Sequence, residues 1–337
     1  MIFNQRDSGI AKGFAIVMMM AHHAFAFPDR IPASLRHIPT LPGIDGEAML
    51  GTLGKICVCL FIFISGYGLH RSSLRNKIHP LSRISAFCKV YLFYFIVTVS
   101  IGILFFPNVT MPDGTARYTT DITTLLLNIF NIITTYNEEW WFVRVYCVMV
   151  LLFPLAHKYL DQPALLIAGS LLTYASLQLL PTTQFTNYFK QVSYYQVPFV
   201  TGMLFSSMKL YERVTYRCIE SPLLWGALLV TLLLTFRLVV YERYLHPLYF
   251  FVTTPLFVIG ASRALRISEL LTRLFEILGK YSFPMWLVHS YFCYYFLQPL
   301  TYAPRYGIAI LLNLSLLTFA TCFVLEKIRM ALPEPLR

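Results

Sequence analysis

The 337-residue chain is 57% hydrophobic and 16% aromatic, with only 13% charged residues and a formal charge of +11. Apolar runs long enough to cross a bilayer recur from end to end, which predicts an all-α polytopic membrane protein. The cations fall in short loops between those runs, so the positive charge does not point to nucleic acid, and with no room for a separate soluble domain residues 1–337 are expected to form a single membrane domain.

Taken in chain order, the apolar segments are 10–27, 50–69, 84–106, 140–157, 163–180, 192–208, 222–239, 247–263, 277–298 and 306–326, about ten transmembrane helices. Ten spans put both termini on one side. With the termini cytoplasmic, sixteen Lys and Arg fall inside, Arg217 and Arg337 among them, and six fall outside, including Arg243; that is the positive-inside pattern. Arg6 and Lys12 ahead of the first run, with Ala24-Phe25-Ala26 after it, also resemble a cleavable signal, but adjacent histidines are poor residues for its apolar core. Residues 121–136, interrupted by Asn128 and Asn131, are expected to form an interfacial or re-entrant helix outside. The long loops 28–49 and 107–139 are placed to roof an outward-facing cavity. No internal repeat is visible. The seven cysteines, Cys57, Cys59, Cys88, Cys147, Cys218, Cys293 and Cys322, show neither metal nor redox spacing, so no disulfide and no structural metal site are expected.

The first candidates for chemistry lie in the first span, where His22 and His23 sit among apolar residues. Ionisable groups there are costly and often functional. Lys12 and His23 differ by only about 20° around a helix and by about 16 Å along it. Adjacent histidines diverge by about 100°, so they do not converge on a metal; a general base is the sharper reading, against a neutral hydrogen-bonded pair. Lys55 lies inside the second span, where it either snorkels or faces an anion. Phe61-Ile-Phe-Ile-Ser65-Gly66-Tyr67-Gly68-Leu69 closes that span with small residues suited to close helix packing. Arg71, Arg75, Lys77 and Arg83 form a basic inner loop, and Lys89 lies one turn into the third span. These cations serve either as anchors or as a phosphate-binding set.

Glu138-Glu139-Trp140-Trp141-Phe142-Val143-Arg144 opens the fourth span. With helical spacing, Trp140, Trp141 and Arg144 share a face below two carboxylates, which suits a polar acceptor such as a sugar as well as an ordinary aromatic belt. Ser282 and His289, seven residues apart, share another face, with Pro284 between them. A Gly-rich phosphate loop, a paired-histidine zinc motif and a Gly-x-Ser-x-Gly elbow are all missing, which removes support for ATP-driven transport and for metalloprotease chemistry.

The order of these motifs resembles the acyltransferase 3 family of membrane-bound O-acyltransferases, some of which act on bacterial surface polysaccharides. The resemblance rests on the spacing from Lys12 to His23, on FIFISGYGL at 61–69, on WWFVRVYCVMVLLFPL at 140–155 and on YSFPMWLVHS at 281–290. It covers nearly the whole chain and implies transfer of an acyl group, most simply acetyl from acetyl-CoA, to a hydroxyl of a cell-surface or lipid-linked glycan, in a bacterial inner membrane. It implies His23 as base, with His22 beside it. It also implies Lys12, Lys89, Arg83 and Arg75 toward the donor, and Glu138, Glu139, Trp140, Trp141, Arg144, Lys55, Ser282 and His289 toward the acceptor. No bound cofactor and no metal are called for; the partners are the bilayer, the acyl-CoA and the glycan. The family has arginine at the position of Lys12, and a pair of arginines where this chain has Ala86 and Lys89, departures that bear on donor handling. A transporter or flippase for an anionic lipid or sugar, and a family member that has lost activity, are the alternative readings.

Overall fold

The computed structural model describes residues 3–40, 45–217, 221–239 and 246–333, and these form helices with no strand among them. The helices are α1 (Gln5–Phe25), α2 (Gly46–Gly54), α3 (Ile56–Ser73), α4 (Pro80–Phe105), α5 (Ile122–Ile129), α6 (Trp141–Lys158), α7 (Pro163–Gln178), α8 (Gln184–Ser207), α9 (Leu210–Arg217), α10 (Pro222–Val239), α11 (His246–Ala264), α12 (Glu269–Lys280), α13 (Ser282–Ser290), α14 (Gln298–Tyr302) and α15 (Gly307–Ala331). Cys218, Arg243, Arg337 and the side chain of Arg217 lie outside the described residues. Among the described residues no disulfide joins Cys57, Cys59, Cys88, Cys147, Cys293 and Cys322.

All ten expected spans fall on helices. Among the described residues five stretches are long and apolar enough to cross a membrane, Gly46–Ser73, Pro80–Phe105, Glu138–Lys158, Leu248–Ile267 and Gly307–Ala331. The others fall short for local reasons. α1 carries Arg6, Asp7, Lys12 and two histidines, α7 has 16 residues, about 24 Å, and the ninth expected span is broken at Tyr281 between α12 and α13. The outer face of α15 presents Ile308, Leu312, Leu316 and Phe323, one turn or two apart and all exposed. An apolar stripe of that length is at home in lipid.

Residues 121–136 do not make a span. α5 has eight residues, about 12 Å of helix, capped by the Asp121 carboxylate on the Thr124 N–H at 2.7 Å. Its end is set by the two asparagines: Asn128 donates to Thr124 O and Thr135 Oγ1, and Asn131 takes a left-handed φ of 55°.

The chain divides into two compact units. The first holds residues 1–15, 56–81 and 145–280; the second holds 16–55, 82–144 and 281–337. Within the first, glycines bring backbones together. A Cβ on Gly66 of α3 would run into the Phe199 carbonyl of α8, one on Gly202 of α8 into the Phe63 carbonyl, and one on Gly13 of α1 into the Phe275 carbonyl of α12. Gly66 therefore performs the close packing expected of the FIFISGYGL segment, whereas Gly68 has open space around it. Arg6 ties the start of α1 to Glu269 and Glu276 of α12, and Asp7 pairs with Arg266 at 2.6 Å. This unit also holds a cavity of about 510 Å³ bounded by α6, α7 and α8, apolar except for Tyr159, Thr173 and the mutually bonded Ser170 and Gln196.

Candidate active site

The second unit assembles a polar cluster around the end of α1. α2 approaches that end through Gly51 and Gly54: a Cβ on Gly54 would strike the Met18 carbonyl and the His22 backbone. The approach brings the Gly51 carbonyl to 2.7 Å from His22 Nδ1. A carbonyl only accepts, so His22 carries its proton on Nδ1.

His23, one position on, faces differently. Its Nε2 lies 3.5 Å from Glu139 Oε2, and both side chains are about nine-tenths buried. Glu139 Oε1 accepts from Arg30 at 2.9 Å. Arg30 also reaches Glu138 at 3.4 Å, and Glu138 takes a second cation, Arg117, at 2.9 Å. The charges run in one alternating series, His23, Glu139, Arg30, Glu138, Arg117. Arg30 is held between the rings of Phe27 and Tyr294, with its guanidinium carbon 4.8 and 5.1 Å from their centroids, and Arg117 lies 4.5 Å over Tyr295. Burial works against the Arg30 charge, but Glu139, Tyr294 and Glu138 outweigh it and its pKa is raised, so the guanidinium holds its charge throughout.

The segment that carries Glu139 is fixed from α13. Glu138–Trp140 is a single 3-10 turn capped by Asn137, whose Oδ1 accepts from Glu139 N while its Nδ2 donates to Ser290 Oγ at 2.7 Å. Two indoles cross in opposite senses: Trp140 Nε1 donates to Leu287 O, and Trp286 Nε1 donates to Glu139 O. His289 donates from Nδ1 to Trp286 O at 2.6 Å and is fully buried, its ring centroid 4.6 Å from that of His23. Its Nε2 has no hydrogen-bond partner among the described residues. After Ser290 the chain widens into a π-helix, Tyr291–Tyr295, and this turn delivers two adjacent tyrosines to the cluster. Tyr294 reaches His23; the Tyr295 hydroxyl accepts from Glu138 N at 3.4 Å.

The unit thus gathers His22, His23, Glu138, Glu139 and His289. It uses other expected residues differently. Trp140 is 1% exposed and serves as packing, because the helix begins at Trp141 and the preceding 3-10 turn rotates the ring inward. Arg144 donates to the carbonyls of Asn131 and Ile132 and so closes the loop after α5. Trp141 is half-buried, Ser282 is buried at the start of α13, and Lys55 is exposed at the break between α2 and α3. Of the cations expected to meet the donor, Lys89 and Arg83 belong to this unit, Lys12 and Arg75 to the other. Lys12 is half-buried, and no carboxylate among the described residues pairs with it.

Arg30, Arg117, Asn137 and Tyr294 were not singled out in the sequence. Two adjacent acids beside an apolar segment require cations, and Arg30 and Arg117 were visible as basic residues of the two long loops. One histidine and carboxylate group among the described residues, His37, Asp45 and Glu47, has ligand atoms within 4.8 Å of one another. Asp45 caps α2 through Ala48 N and Glu47 bonds Thr40, so this group serves as loop wiring.

A buried imidazole whose nitrogen faces a carboxylate held by arginine is equipped to take a proton from a hydroxyl and to stabilise the cation that forms. A family model described as an acyltransferase domain matches residues 8–327. The chain belongs to the acyltransferase 3 family. No curated protein and no solved structure matches it. The match begins ahead of His23 and ends beyond the π-helix, so the whole cluster lies within the acyltransferase domain, and the apolar helices make this an integral membrane acyltransferase.

Proposed function

We propose that this acyltransferase moves an acyl group, acetyl in the simplest case, from acyl-CoA to a hydroxyl of a cell-surface or lipid-linked glycan, with His23 as the general base. The observation that supports this is the 3.5 Å approach of His23 Nε2 to a Glu139 carboxylate already bound by Arg30. At that separation the neutral ring and the carboxylate have no good hydrogen bond between them. An incoming hydroxyl donates to Nε2. As its oxygen attacks the thioester carbonyl carbon, the proton passes to Nε2, and the resulting imidazolium pairs with Glu139. The carbon–sulfur bond then breaks, and the imidazolium returns its proton to the departing thiolate.

The cations proposed to meet the donor's phosphates are Lys12, Lys89, Arg83 and Arg75. Glu138, Trp141 and His289 are the residues best suited to the acceptor, beside the ion series from Arg30 to Arg117. A bacterial inner membrane with both termini cytoplasmic gives the donor access from inside and the glycan access from outside.

The test is transfer of labelled acetyl from acetyl-CoA to membrane glycans, at matched expression. His23→Ala is expected to lower transfer by about 100-fold or more, the usual scale for a lost general base, and Glu139→Gln by about 10- to 100-fold. Movement of an unmodified lipid or sugar across the membrane, with no label transferred, would replace this reading with a transporter.

A further inference from the structure

α1 ends at Phe25, so the carbonyls of its last turn have no intrahelical donors. Two are met by phenols from the segment after α13. Tyr294 Oη donates to His23 O at 2.7 Å, and Tyr302 Oη donates to Ala24 O at 3.2 Å. A phenol has one proton, and a carbonyl can only accept, so the Tyr294 proton is committed to His23 O. The same oxygen lies 3.2 Å from His23 Nδ1. That second contact is a hydrogen bond only when Nδ1 carries the proton, which leaves the lone pair on Nε2, the nitrogen that faces Glu139.

We infer that Tyr294 is the positioning residue that fixes the working tautomer of His23: one hydroxyl donates to the main chain of the histidine and accepts from its ring. The task is the one a buried carboxylate performs on the base of a Ser-His-Asp triad, orientation and choice of tautomer. A neutral phenol suits this place because the carboxylate of the site, Glu139, already stands at the other nitrogen. A second anion at Nδ1 would compete with it for the imidazolium. The π-helix has a purpose in this arrangement. Its extra residue per turn lets Tyr294 reach His23 while the next residue, Tyr295, reaches Glu138 and Arg117. The inference rests on the reading of His23 as the base.

Tyr302 supplies the control, since it caps the neighbouring carbonyl and is not among the rings in contact with His23. Tyr294→Phe is expected to lower kcat about 100-fold with the KM for acetyl-CoA unchanged, a smaller loss than the about 10⁴-fold known for a wrong tautomer in a serine protease. Tyr302→Phe is expected to stay within about two-fold of wild type, because it loses one neutral hydrogen bond and nothing at the ring. Histidine-selective nitrogen NMR of the purified protein, assigned with His23→Gln, is expected to show the proton on Nδ1 of His23, and exchange between both tautomers in Tyr294→Phe. Equal losses in the two phenylalanine variants, or a proton resting on Nε2 in the wild type, would overturn the assignment. A wild type that transfers no acyl group would sink the acyl-transfer reading instead, and the tautomer spectrum would still decide this one.

Discussion

The two ends of α1 are held by opposite means. Its first turns, in one unit, press glycine against backbone: a Cβ on Gly13 would strike the Phe275 carbonyl and one on Gly279 the Gly9 carbonyl, with Arg6 paired to α12 and Asp7 to Arg266 outside the seam. Its last turns, in the other unit, are held by polar side chains: His22 on Gly51 O, Tyr294 on His23 O, Tyr302 on Ala24 O and Glu139 opposite the His23 ring. Small residues allow backbones to approach and give dispersion along the whole contact. Hydroxyls and imidazoles satisfy the carbonyls a helix end leaves open, and they place protons. On the proposed reading, the first end stays closed and the second exchanges hydrogen bonds with a substrate.

The largest effect is expected at Gly13. Gly13→Ala puts a methyl onto the Phe275 carbonyl, where neither backbone can yield without moving its helix. The expected cost is about 3 kcal/mol or more, read as lost folded yield and a lower melting temperature in detergent. Gly9→Ala is the matched control. Its Cβ would lie 3.8 Å from Glu276, ordinary contact, so the change is expected to be neutral or slightly stabilising through helix propensity. If both variants melt together, the seam is not what holds this end.

At the other end, His22→Ala is expected to cost about 1 kcal/mol of stability, the usual worth of its bond to Gly51 O, and to leave acyl transfer close to wild type. The prediction separates the adjacent histidines by what their rings meet. His22 has its Nδ1 on a backbone carbonyl, while His23 turns its Nε2 toward Glu139. Loss of transfer in a stable His22→Ala protein would move the base by one residue.

The apolar helices were legible in the sequence because hydropathy is summed over whole segments, and the histidines were legible because they contradict that sum. Glu139 was visible as a residue but not as the partner of His23, since nothing local to 138–144 records what α1 brings to it. Trp140 and Arg144 were expected on one open face. That expectation assumed a helix from residue 140, and the actual 3-10 turn over Glu138–Trp140 buries the indole and leaves Arg144 to the loop after α5. Tyr294 was unreadable for a similar reason. With ordinary α-helical spacing after His289 it falls on a different face, and only the π-turn brings it round.

The smallest expected effect is at the ion pairs outside the glycine seam. Arg6 and its partner Glu269 are both exposed, and solvent screens such pairs. The hydrogen bonds from Arg6, and then from Arg273, lower the Glu269 pKa below the usual carboxylate value. A carboxylate whose pKa is depressed by folding adds stability above its unfolded pKa, near 4.3, and loses it as the pH falls through the folded value. Arg6→Gln should therefore melt slightly below wild type at neutral pH, with the gap closing as the medium is acidified below about pH 4. A gap that stayed constant through that range would mean that Arg6 stabilises α1 by packing its aliphatic stem on α12 and not by its charge.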